Sequence, residues 1–217
     1  MSQELWTAVD DYVADLLVPS DAALEGALRA SAEAGMPAIA VSATQGKLLM
    51  LLAQTLGARR ILEIGTLGGY STIWLARGLS AGGRLITLEV DPKHADVARQ
   101  NIARAGLSDA AEVRLGRAIE TLPKLEGPFD LIFLDADKVS YPEYFSWAVT
   151  LSRPGSLIIA DNVVRKGAVI EAESSDANVQ GVRRFNELMA ADKRVSATVI
   201  QTVGSKGYDG FAIARVL

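Results

Sequence analysis

The side chains best able to do chemistry together fall in two short segments. One is Asp135-Ala136-Asp137-Lys138, which follows the apolar run FDLIFL; the other is Asp161-Asn162, which follows SLIIA. Asp135, Asp161 and Asn162 offer two carboxylates and an amide without His or Cys, the all-oxygen donor set of a hard divalent cation such as Mg²⁺, Mn²⁺ or Ca²⁺. Taken singly, an Asp at the end of an apolar run also serves as a helix cap or an Asx turn; the pair together points to a site. Lys138, three residues beyond Asp135, is placed to take a proton from an acidic hydroxyl beside such a cation, a catalytic role open as well to a water or a carboxylate. Its plainer reading is an exposed lysine paired with Asp135 or Asp137.

Two further segments have the character of a cofactor site. Glu63-Ile-Gly-Thr-Leu-Gly-Gly-Tyr-Ser71 reads as a glycine-bearing turn from strand into helix, where a ligand can approach the backbone closely. Glu89, with Asp91 two residues on, reads as an acid at the end of the next strand, able to accept two hydrogen bonds from a ribose diol. Together they suggest an adenosine-type cofactor. Gly65, Gly68 and Gly69 are spaced GxxGG rather than the GxGxxG of a pyrophosphate loop. The acid Glu63 ahead of them suits a cationic ligand, a sulfonium with its ammonium group, better than an anionic one. S-adenosylmethionine therefore fits better than NAD.

These residues need a scaffold that brings strand ends together. Leu5, Val9, Tyr12, Val13, Leu16 and Leu17 recur at helical spacing before Pro19, and an Ala/Leu-rich stretch runs from Ser20 to Gly35. Ser42 and Gln45 have capping-box spacing for a third helix that stops at Gly57. From Arg60 short apolar runs alternate with helical segments, predicting strands near 60–64, 84–89, 112–115, 129–135 and 155–161 and helices near 70–79, 92–105, 117–124, 141–151 and 176–191. Asp91-Pro92 reads as N-cap and first helical residue, and Ser140 with Glu143 as a second capping box. Strands such as LIFLDA and SLIIAD are apolar rather than alternating, as in a parallel sheet covered on both faces. Residues 195–203 and 208–216 are joined by too few residues for a crossover and must pair antiparallel. The expectation is an α/β sheet of seven strands, the last reversed, in a single domain of a helical segment (about 1–57) and an α/β core (about 58–217).

Composition narrows the function. With 22 Lys+Arg against 26 Asp+Glu the net charge is -4, which lacks the basic footprint of a nucleic-acid binder. No cysteine is present, which removes disulfides, thiolate zinc sites and cysteine nucleophiles, and the one histidine, His94, reads as an ordinary helix-surface residue. The first twenty residues have no basic segment followed by an apolar one, and no apolar run reaches membrane-spanning length, so the reading is a cytoplasmic protein with no membrane partner. Tyr141, Tyr144, Phe145 and Trp147 cluster after the DADK segment; their helical spacing favours core packing over a wall of the site.

In order, LEIGTLGGYS, LEVD, FLDADK, ADNV and GYDGFAI make the chain, from about Ser42 to its C-terminus, similar to the cation-dependent O-methyltransferases. That family includes catechol O-methyltransferase and the caffeoyl-CoA O-methyltransferases, and the likeness is to its small bacterial members. The resemblance implies a class I methyltransferase fold with a Rossmann-like sheet, a homodimer, S-adenosylmethionine, Mg²⁺ or a similar cation, and a phenolic vicinal diol as acceptor. It places Glu63, Gly65, Thr66, Gly69 and Ser71 around the methionine end of the cofactor, with Val41 ahead of them, Glu89 on the ribose and Ala118 beside the adenine. It makes Asp135, Asp161 and Asn162 the metal ligands, with Asp135 also near the cofactor, Lys138 the catalytic lysine at the substrate, and Asp209 a substrate-side acid. Two departures concern the acceptor. Val203 to Lys206 hold no acid where the catechol enzyme grips the second hydroxyl, and Arg165-Lys166 stand where plant relatives carry an aromatic residue. The second departure reads either as a basic pocket for an anionic acceptor or as a solvated loop pair. A metal-assisted NAD-dependent oxidoreductase and a non-catalytic S-adenosylmethionine-binding protein are the rival readings.

Overall fold

The computed structural model describes residues 2–19 and 21–217; Ser20, the start of the second helical stretch, lies outside them. Three helices, α1 (Gln3–Leu17), α2 (Ala22–Glu33) and α3 (Ala43–Thr55), precede the first strand, β1 (Arg60–Ile64). The chain continues through α4 (Tyr70–Arg77), β2 (Arg84–Glu89), α5 (Pro92–Arg104), β3 (Ala111–Leu115), α6 (Ala118–Thr121), β4 (Phe129–Leu134), α7 (Tyr141–Thr150), β5 (Ser152–Asp161) and α8 (Ala177–Ala191). It ends in β6 (Val195–Gly204) and β7 (Gly207–Val216), with 3₁₀ turns at Leu122–Lys124, Lys138–Ser140 and Arg165–Ile170.

All seven strands join one sheet in the order β3-β2-β1-β4-β5-β7-β6. β1 pairs in parallel with both β2 and β4, whereas β7 runs antiparallel between β5 and β6. The chain therefore reverses its direction of travel across the sheet between β1 and β4, and a crevice opens at their carboxyl ends. Alternate residues of the central strands feed opposite faces. Leu62, Ile132 and Ile158 pack with Phe145 and Phe185 on one side, while Ile61, Leu131, Phe133 and Ile159 pack with Leu49 and Ile73 on the other. Burial of both faces is the reason these strands show no polar alternation.

Local signals mostly hold. Ser42 Oγ accepts from the Gln45 N–H at 3.2 Å, and Asp91 accepts from Lys93 and His94 ahead of Pro92 in the first turn of α5. The capping box at Ser140 does not form. The 3₁₀ turn runs straight into α7, leaving Ser140 in helical rather than extended backbone, and its side chain makes no capping bond. α1 forms from its N-cap Ser2 as the spacing requires, but none of its residues is buried: Tyr12 and Leu17 are each 67% exposed and Leu16 62%.

One close approach fixes the turn after β4. At Gly181 in α8 a Cβ would lie 2.2 Å from the Lys138 carbonyl oxygen, so the helix backbone is pressed directly on the turn that carries Lys138. Gly181→Ala is expected to cost about 1–3 kcal/mol through overpacking, lowering Tm by several degrees in a thermal melt. An unchanged Tm would show that the turn yields freely.

Candidate active site

Three side chains, Lys138, Asp135 and Tyr141, tie the carboxyl ends of β4 and β5 together. Lys138 is only 7% exposed, and its Nζ donates to Asp135 Oδ1 at 2.9 Å and to the Tyr141 hydroxyl at 2.8 Å. Tyr141, fully buried, shares its own proton between the carbonyl oxygens of Leu134 and Asp161, each at 2.9 Å. The lysine is thus held rigidly, and it is buried rather than a solvated partner of Asp137. Asp137 instead accepts from the Tyr144 hydroxyl at 2.6 Å.

Burial, and then the charge of Asp135, hold the Asp161 carboxyl well above the usual carboxylate range, with the Gln45 amide and the Asn162 N–H pulling the other way. Asn162 follows with φ 57°, a left-handed bend that asparagine tolerates, and it lines the cleft. Among the described residues no three His, Cys, Asp or Glu side chains gather as a metal-holding group; the third donor here is an amide. A buried carboxylate whose ionisation is opposed by a neighbouring carboxylate, with an asparagine next in the chain, fits a hard divalent cation, whose charge would relieve that opposition.

The glycine turn lies across the sheet crevice from this cluster. Gly65 has φ 100°, and a Cβ there would meet the Asp135 carbonyl oxygen at 2.2 Å, so only glycine lets β1 and β4 end side by side. Glu63 is completely buried beneath the turn, accepting from Ser71 Oγ at 2.6 Å and from the Thr72 hydroxyl. Burial drives its carboxyl up to about 7, against the opposing pull of those hydroxyls. Thr66, also buried, bonds through its hydroxyl to Thr87 at 2.5 Å. Glu89 is an organiser. One carboxylate oxygen accepts from the Thr66 and Leu67 N–H groups, and the other accepts from Val90 and Asp91. A diol reaching this acid would share its acceptor sites with the turn.

A cleft of about 960 Å³ connects the two halves, bordered by Val41, Gly65, Thr66, Ser71, Glu89, Ala118, Asp135, Lys138 and Asn162. Nine of the residues singled out in the sequence thus border one cleft, whereas Glu63, Gly69 and Asp161 lie behind its lining. Residues 18–216 match the family model described as O-methyltransferase. This chain belongs to the O-methyltransferase family. A catechol O-methyltransferase of Niastella koreensis is 56% identical over the full length of both proteins. The crystal structure of an O-methyltransferase from Bacillus cereus in complex with SAH is 61% identical, covers 100% of each chain and superposes with a TM-score of 0.98. That of the Streptomyces achromogenes O-methyltransferase TomG, involved in tomaymycin synthesis and solved with SAM, is 53% identical, covers 100% of this chain and 99% of its own, and has a TM-score of 0.97. The fold is accordingly the class I methyltransferase fold, with its reversed last strand.

Several placements differ from the sequence reading or extend it. Asp209 does not border the cleft; its Oδ1 accepts from the N–H groups of Val164, Arg165 and Gly210, anchoring the loop after β5. His94 is no ordinary surface residue, since it borders the cleft with Nδ1 3.7 Å from Glu89 Oε1. Its position at the third residue of α5, immediately after an acid-ended strand, was the available signal. Tyr141 packs in the core as its spacing suggests while its hydroxyl holds the lysine, and Tyr144 does border the cleft. Gln45 offered only its capping spacing, and its approach to Asp161 depends on how α3 packs.

Glu63 supplies a pH test. In the ligand-free protein its carboxyl stays protonated up to about pH 7, whereas in the unfolded chain it ionises near 4.5. Its contribution to stability is therefore most favourable below pH 4.5 and is lost as pH rises through 7. The loss is on the order of 3 kcal/mol. Melting curves of Glu63→Gln and the natural sequence, taken from pH 5 to pH 8, should shift progressively in favour of the variant. A pH-independent difference would mean that the carboxyl is ionised throughout.

Proposed function

We propose that this chain transfers the methyl group of S-adenosylmethionine to one hydroxyl of a phenolic vicinal diol, with a divalent cation bound at Asp135, Asp161 and Asn162. The observation that carries the reading is the buried Lys138 amine, fixed between Asp135 and Tyr141 at one end of the cleft whose other end is the glycine turn and Glu89. The SAH- and SAM-bound relatives and the catechol O-methyltransferase relative support the cofactor and the acceptor class.

A cation held there supplies charge that favours the ionised phenol over its ordinary pKa of about 10. With Asp135 engaged by the cation, Lys138 acts as the neutral amine, its ammonium proton having gone to solvent, and its lone pair takes the phenolic proton. The phenolate oxygen then forms a bond to the methyl carbon as the carbon–sulfur bond breaks, the electron pair staying on sulfur, to give an aryl methyl ether and S-adenosylhomocysteine. Nothing in this step requires a covalent enzyme intermediate, so the chain contributes mainly by position. Tyr141 keeps the lysine at one point, Gly65 lets the strand ends meet, and the turn held by Glu89 sets the cofactor's place.

With a catechol acceptor, transfer should vanish in EDTA and return with added Mg²⁺. Lys138→Ala should lower kcat by about 10²–10⁴-fold, the range for loss of a positioned proton acceptor. Full turnover of that variant at neutral pH would remove the lysine from the role, and transfer insensitive to EDTA would remove the cation.

The unburied apolar face of α1 supports a homodimer. Leu5, Val9, Tyr12, Leu16 and Leu17 are each at least half exposed, and α1 is tied to the edge hairpin, where Val199, Ile200 and Val203 are also open: Gln3 Nε2 donates to the Gly204 carbonyl, and Asp10 accepts from Ser205. Two copies meeting through these surfaces would cover side chains that a monomer leaves in water. Sedimentation should give twice the chain mass, and Val9→Asp with Tyr12→Asp should halve it. A natural sequence that sediments as a monomer would overturn the pairing.

A further inference from the structure

Next to the proposed cation ligands, the loop after β5 does something its sequence leaves open. Arg165 and Lys166, adjacent in the chain, part company: Lys166 is exposed, whereas Arg165 is half-buried and borders the cleft three residues beyond Asn162. The backbone is bent to achieve this. Arg165 and Lys166 both have φ 55°, in the left-handed region that side-chain-bearing residues avoid. The bend is secured by Asp209, whose Oδ1 accepts from the Val164 N–H at 3.0 Å and the Arg165 N–H at 2.9 Å.

The guanidinium so placed has no partner. Among the described residues none of its nitrogens donates to a protein acceptor, its Nε is buried without a hydrogen bond, and no carboxylate lies within 4.0 Å of it. Its charge still reaches the reaction end, where it acts on the buried Tyr141 hydroxyl against Asp135 and Asp161. The farther counter-charge it faces is Asp176, the solvent-side N-cap of α8. A second cation borders the same cleft: Lys206, whose Nζ donates to the Ala38 carbonyl oxygen at 3.2 Å. Of the cleft's acids, Glu89 is engaged by backbone N–H groups, Asp135 by Lys138 and Asp137 by Tyr144. A strained bend held by a dedicated carboxylate, presenting an unpaired planar fork of donors, is the arrangement that recognises a carboxylate.

Building on the proposed diol methylation, we infer that the acceptor is a vicinal diol whose ring carries a carboxylate, bound by Arg165. An ammonium-bearing diol meets a like charge at Arg165 and is disfavoured.

The test compares kcat/KM for 3,4-dihydroxybenzoate, its methyl ester and dopamine, with saturating S-adenosylmethionine and Mg²⁺, in the natural sequence and in Arg165→Met and Arg165→Lys. The natural sequence should favour the acid over the ester by 10-fold or more, with dopamine poorest. In Arg165→Met the acid-to-ester ratio should fall at least 10-fold, mainly through KM for the acid; Arg165→Lys should retain part of it. Because the readout is a ratio within each protein, a general loss of folding or rate leaves it interpretable. An acid-to-ester ratio near one in the natural sequence, or one unchanged in Arg165→Met, would overturn the inference while ester turnover upheld diol methylation. Transfer to none of the three diols would overturn both.

Discussion

The site depends on a buried ion pair. Lys138 and Asp135 meet at 2.9 Å with the lysine almost wholly removed from water, an arrangement that is costly unless every remaining donor is satisfied. Tyr141 accepts a second of the lysine's hydrogens, and because the same hydroxyl bonds to the ends of both β4 and β5, the pair is built into the sheet rather than laid on it. Removing Asp135 would strand the lysine's charge in a low-dielectric setting, at about 3–5 kcal/mol. The backbone of α8, stripped of a side chain at Gly181, closes the turn from behind. The lysine is thus fixed in position by the same contacts that join two strands.

The cofactor end is organised by a different device. There, acids are spent on the backbone: Glu89 gathers four N–H groups from two strand-to-helix turns, and Glu63 holds the hydroxyls at the start of α4. Glu63 lies behind the surface of the turn and holds Ser71, which borders the cleft. The two ends meet where Gly65 lets the Asp135 carbonyl come close, which sets the distance between a methyl donor and its acceptor by backbone packing.

The acceptor end combines invariance at the floor with freedom at the rim. Its floor is made of strand ends, which the sheet fixes, whereas its rim is made of the loop after β5, the segment around Ala38 and the hairpin turn at Lys206. Asp209 links two of these by anchoring the loop from β7, so a residue outside the cleft determines where Arg165 points. Changes in the rim can alter what the cleft admits without disturbing the lysine or the strand ends.

The sequence by itself determined the strands, most helices, the reversed last strand and the identity of the acids, lysine and glycines at the strand ends. Those features follow from local periodicity, turn chemistry and the rule that parallel strands present their carboxyl ends on one side. It did not determine which groups those residues would touch. Ser140 has the right neighbours for a cap, yet the turn ahead of it puts its backbone in the wrong conformation; His94 looks like a surface residue until α5 is laid beside Glu89; Asp209 carries an acid to the region expected of it but turns it onto backbone N–H groups. Arg165 and Lys166 are equivalent as letters and opposite in place, because a left-handed bend secured from a strand 44 residues away rotates one inward. Contacts between segments distant in the chain were decided only by tertiary packing, since the free energy of each depends on the position of a partner that no local pattern records.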